Sequence, residues 1–131
     1  MSCYTSLGVT VAPEEGMHFL RFLKKLDDQP DTVSQGNDGS VSAVWEDRNH
    51  FDRYSDDENY DAIMAFLEDL DDDKYIYESV TEDCAPEIGG GYYFGFARVV
   101  HYDVYGEPVD LDSVTSENRK RKGLLARLRR R

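Results

Sequence analysis

The stretch from Ser55 to Asp73, SDDENYDAIMAFLEDLDDD, constrains the fold of this chain more than any other segment. Tyr60, Ile63, Phe66, Leu67 and Leu70 recur at spacings of three and four. At 100° per residue they fall on one face, which predicts an amphipathic helix that needs a sheet or a second helix to cover it. Ser55 with Glu58 reads as a capping box at its start. Asp57, Asp61, Glu68 and Asp72 are expected close to one line on the opposite face, beside Glu58 and Asp69.

The acids at the two ends have different consequences. Asp56, Asp57 and Glu58 lie at the positive end of the expected helix dipole, and helix stability accounts for them. Glu68, Asp69, Asp71, Asp72 and Asp73 crowd the negative end, where each costs about 0.3–1 kcal/mol. Repulsion between neighbouring acids adds to that cost. A helix selected for stability alone would carry Lys or Arg there.

The rest of the chain supplies the covering sheet. Residues 3–11 alternate as a half-buried strand, with Cys3, Thr5, Leu7, Val9 and Val11 on one side. Pro13 opens a helix whose buried stripe is Phe19, Leu20, Leu23 and Leu26, with His18, Arg21 and Lys25 outward. A short strand at 32–36 is turned back by Asn37-Asp38-Gly39 into a second strand from Val41 to Phe51. Tyr75–Thr81 reads as another strand, broken by Glu82–Pro86. Gly89-Gly90-Gly91 then leads into a long alternating strand from Tyr92 to Val104. The order β-α-β-β-α-β-β predicts an α+β fold: a mainly antiparallel sheet of four to five strands with two helices on one face. A ferredoxin-like core with one added strand fits that order. Residues 1–112 form the expected acidic body, and 113–131 a basic C-terminal tail.

Charge is divided as sharply as hydropathy. The net charge is −12 over 131 residues. Residues 1–118 carry 27 acids against 7 bases, whereas residues 119–131 carry 8 bases and no acid. Between Glu46 and Asp83 there are 15 acids and three bases, Arg48, Arg53 and Lys74. Such a body repels nucleic acid and anionic membrane and is steered toward basic protein surfaces. Forty per cent hydrophobic residues, including nine Tyr and six Phe, argue for a folded chain. Cys3 and Cys84 have no metal-type spacing and read as free thiols of a cytoplasmic protein. The first twenty residues lack a signal-peptide pattern, and no run is long and apolar enough to span a membrane.

Catalytic and cofactor motifs are not found. Gly89–Gly91 lacks the Gly-Lys-Ser/Thr of a phosphate loop. Counting from Gly39 as the loop glycine, an EF-hand pattern fails at Ser34, Gly36 and Trp45. Cys84, the candidate nucleophile beside His50 or His101, sits among Glu82, Asp83 and Glu87, which raise a thiol's pKa. Asp31, Glu46 and Arg48 make a nuclease-like set at a spacing common by chance. The reading is therefore non-enzymatic, with no metal and no cofactor.

The composition is similar to that of small acidic phage and mobile-element proteins that mimic DNA, a likeness of charge and size alone. The expected function is a DNA-mimic-type inhibitor that occupies the basic nucleic-acid-binding surface of a host protein. Its contact residues would be Asp57, Glu58, Asp61, Glu68, Asp69, Asp71, Asp72 and Asp73. The alternative is an accessory protein that binds nucleic acid through Arg119, Lys120, Arg121, Lys122, Arg127, Arg129, Arg130 and Arg131.

Overall fold

A computed structural model describes residues 4–52, 54–91 and 107–114. Over these residues the protein is α+β: a six-stranded antiparallel sheet with two α-helices. The elements in chain order are β1 (Tyr4–Val11), α1 (Gly16–Lys25), β2 (Thr32–Gln35), β3 (Val41–Asn49), α2 (Glu58–Glu68), β4 (Tyr75–Thr81), β5 (Glu87–Gly89) and β6 (Glu107–Pro108). Single 3₁₀ turns lie at Pro13–Glu15, Asp72–Lys74 and Leu111–Ser113.

The sheet order is β5-β4-β1-β3-β2-β6. Its inner strands, β4-β1-β3-β2, are the split-βαβ arrangement in which each helix carries the chain across one intervening strand. The strand count exceeds the expected four to five, because both edges gain short strands. β5 pairs with β4 from Tyr77↔Gly89 to Ser79↔Glu87. β6 pairs with β2 at Ser34↔Pro108 and Gln35↔Glu107, where only a connector was expected. The long strand expected over 92–104 and the basic tail at 119–131 lie outside the described residues.

Period-two patterning puts the core where the sequence implies. Leu7, Val9, Val11, Val33, Val41, Ala43 and Trp45 form one cluster with Phe19, Leu20 and Leu23 of α1 and Tyr60, Ile63, Phe66 and Leu67 of α2. The helices meet through stacked rings, with Phe22 and Phe66 centroids 4.5 Å apart. His18 is exposed, as expected, and its ring lies 4.7 Å from that of Phe66. Val114 is also buried in this cluster, and Lys24 donates to its carbonyl.

The β2–β3 hairpin turns where Asn37-Asp38-Gly39 predicts. Gly39 has φ +90°, and the Asp38 carboxylate accepts from Ser40 N at 2.9 Å. The other sheet face is more polar yet also buried. It carries Gly8, Thr10, Ser42 and Glu78, with Thr10 and Ser42 hydroxyls 2.7 Å apart.

Arg48 locks the end of β3 to the loop after α1. Its guanidinium donates to Asp28 at 3.0 Å, to Asp31 at 2.9 Å and to the carbonyls of Glu46 and Gln29. Burial opposes its charge, but the bonds and charges of Asp28 and then Asp31 outweigh that and raise its pKa. The spacing of Asp31, Glu46 and Arg48 thus reflects a structural clamp.

Candidate functional site: an acidic cleft between helix and sheet

The organising helix is shorter than its sequence pattern. It starts at Glu58, where Asp57 is the N-cap and accepts from Tyr60 N at 2.9 Å. Asp at an N-cap satisfies a helix donor directly, and it displaces the expected Ser55 cap. The Ser55 hydroxyl instead donates to Asp52 at 2.8 Å. At the other end Glu68 is the last helical residue and Asp69 the C-cap. Asp71 precedes the 3₁₀ turn of Asp72–Lys74, its carbonyl accepting from Lys74 N at 2.9 Å, and the turn feeds β4.

This shortening redistributes the expected acidic line. Asp57 is half-buried and committed to the cap, and Asp72 stands off the helix. Glu58, Asp61, Glu68, Asp69, Asp71, Asp72 and Asp73 are all exposed. None of them forms an ion pair with another described residue. Lys74, the base nearest in sequence, is taken by Glu14. That contact lowers the Glu14 pKa and raises that of Lys74. Among the described residues, only the charge of Lys74 acts on this acidic surface, at Asp73 and Asp71, and it does so without an ion pair. The tail residues Arg119 to Arg131 of the alternative reading lie outside the described residues.

Folding adds a feature that the charge pattern does not show. α2 lies across β4 so that Tyr60, Asp61, Met64, Ala65, Glu68 and Tyr77 line a cleft of about 350 Å³. Tyr60 is 1% exposed and forms its floor, held edge-on by Phe51 at 5.2 Å. Asp61 and Glu68, seven residues apart, stand at the two ends of the helical wall, about 10 Å apart along the axis. The Tyr77 hydroxyl donates to Glu87 at 3.3 Å across the β4–β5 pair.

Next to the cleft, Tyr75 ties the C-terminal end of α2 to the sheet. Burial raises its phenol pKa, and the charge of Asp72, the neighbouring Tyr77, the charge of Glu68 and a hydrogen bond to Asp72 add to the shift. A group whose folded pKa is raised stabilises the fold fully below its unfolded pKa and loses that contribution as pH rises through the folded value. Phenolate absorbance should therefore show one late-ionising tyrosine on the alkaline side that is missing in Tyr75→Phe. An unchanged titration curve in the variant would refute the assignment.

The triple glycine, read from sequence as a hairpin connection, works here by close approach. Gly90 has φ +88°, and a Cβ there would stand 2.3 Å from the Tyr75 carbonyl oxygen. Gly89 lies against the Tyr77 ring, and Gly91 N donates to the Asp72 carbonyl at 2.6 Å. Gly90→Ala should cost about 1–3 kcal/mol through backbone strain alone. It should also remove hydrogen-exchange protection from the Gly91 amide. Retained protection would show that the backbone contact is not needed.

Cys84 is exposed in the turn after β4. His50 follows β3 in a turn, with φ +57°. His101 falls outside the described residues. Among the described residues no three His, Cys, Asp or Glu side chains are placed to hold a metal ion, and no helix is long and apolar enough to cross a membrane. Compared with protein-family models, curated proteins and solved structures, the chain matches none.

Proposed function

We propose that the protein is a non-enzymatic inhibitor of the DNA-mimic type, which presents the acidic surface of α2 and the following turn to the basic surface of a nucleic-acid-binding protein. The observation that carries this reading is that, among the described residues, none of these exposed acids is in an ion pair. No Lys or Arg occurs from Tyr54 to Asp73, and Lys74 is spent on Glu14. A surface that kept these acids for helix stability alone would not extend them past the C-terminal end of α2, where the dipole opposes them. Glu58, Asp61, Glu68, Asp69, Asp71, Asp72 and Asp73 are the phosphate surrogates. The helix and the turn that follows it hold their backbone positions before docking, so the partner has to order only the side chains.

A pull-down from bacterial lysate tests this, with the full-length protein as bait and duplex DNA as eluant at fixed salt. DNA-handling proteins should be retained, and DNA should release them because the two compete for one surface. Retention of nucleic acid itself, lost on removing residues 119–131, would overturn the reading in favour of the tail.

A further inference from the structure

The cleft between α2 and β4 has a chemistry that the acidic surface alone does not imply. Two tyrosines, Tyr60 and Tyr77, line it together with Met64 and Ala65, and Asp61 and Glu68 of α2 line it about one turn to either side of Met64 and Ala65. At about 350 Å³ it falls at the small end of the range for ligand sites. A phosphate-bearing ligand would meet two carboxylates. A bare divalent cation would find aromatic and thioether groups where it needs several oxygens. The occupant that satisfies both parts is an organic cation with a flat, weakly hydrated head.

We propose that this cleft receives one arginine side chain of the partner protein. A guanidinium stacks on an aromatic face and keeps its edge donors for carboxylates, whereas an ammonium is compact and strongly hydrated. Stacked on Tyr77, it has a carboxylate toward either end of the cleft, and its methylenes lie along Met64 and Ala65. This names the anchor of the interface proposed above and rests on that reading for the partner's identity. The chemistry of the cleft stands without it.

The probe is N-acetyl-arginine amide, titrated into the full-length protein and followed by NMR, with the isosteric neutral citrulline derivative as control. The arginine derivative should give saturable shifts at Tyr60, Met64, Ala65 and Tyr77, and citrulline should bind at least tenfold more weakly. Asp61→Asn with Glu68→Gln should weaken the arginine response at least tenfold. Ala65→Trp should abolish it by filling the cleft without changing any charge. Absence of saturable shifts, equal response to citrulline, or full binding by a folded Ala65→Trp protein would each overturn the proposal.

Partner capture is scored separately, so that the two readings fail differently. Saturable arginine binding without DNA-competed capture keeps the cleft and removes the mimic. DNA-competed capture without arginine binding keeps the mimic and removes the anchor.

Discussion

Replacing Asp61, Glu68 and Asp72 together with Lys should abolish partner capture while the protein stays folded. Each reversal replaces an attraction with a repulsion, and close charge pairs at interfaces couple by about 1.5–7 kcal/mol. Three reversals on one face therefore predict at least a thousandfold loss of affinity. Stability should change by no more than about 1 kcal/mol. All three side chains are exposed, and Glu68→Lys puts a favourable charge at the C-terminal end of α2. The comparison that gives the result meaning is Asp27, Glu46 and Glu82 to Lys, three exposed acids elsewhere. Each triple variant adds six units to the net charge of −12, giving −6. If both lose binding equally, the partner reads total charge and the α2 surface has no special part. Full binding by the α2 variant would remove the proposed function altogether. Thermal unfolding of both proteins checks that neither result comes from lost structure.

Most of the fold's interior was legible because burial forces a period on the sequence. Tyr60, Ile63, Phe66 and Leu67 at helical spacing, and Leu7, Val9 and Val11 at strand spacing, all fall in the core cluster. The hairpin at Asn37–Gly39 was legible because few residues tolerate its backbone. The ends of α2 were not, since Ser55 and Asp57 are both good caps and sequence alone does not say which reaches a helix amide. The edges of the sheet were also obscure. β5 and β6 are three and two residues long, too short for a period to show. Glu78 is buried in strand alternation between Ile76 and Val80, a position for which a charged residue in YIYESVT gives no local sign.

The candidate site was half legible. Its acids stand out by composition, whereas the cleft depends on how α2 crosses β4. Tyr60 and Tyr77, seventeen residues apart, meet there only through that crossing. Nothing local in either segment marks them as partners.

Replacing Trp45 with Ala should be the most destabilising single change in the described residues. Trp45 is fully buried at the centre of the sheet's helix face. Truncating such a residue costs about 3–5 kcal/mol in lost burial and residual cavity. Its indole nitrogen also donates to the Asp28 carbonyl at 2.9 Å, the residue whose carboxylate holds Arg48. Losing that donor loosens the loop that Arg48 clamps. A domain of this size has about 5–15 kcal/mol to lose, so the variant should unfold at far lower denaturant concentration. Trp45→Phe separates the two contributions. It keeps most of the ring and forfeits the hydrogen bond, at about 1–3 kcal/mol. The consequence extends to the cleft, because Trp45 lies 6.3 Å from the Phe51 ring, and Phe51 in turn supports Tyr60. Under conditions where Trp45→Ala still folds, it should bind the arginine probe less well than Trp45→Phe does, although neither substitution touches the cleft. Equal binding would mean that the floor of the cleft is fixed by α2 alone and that the Trp45–Phe51–Tyr60 rings serve stability only.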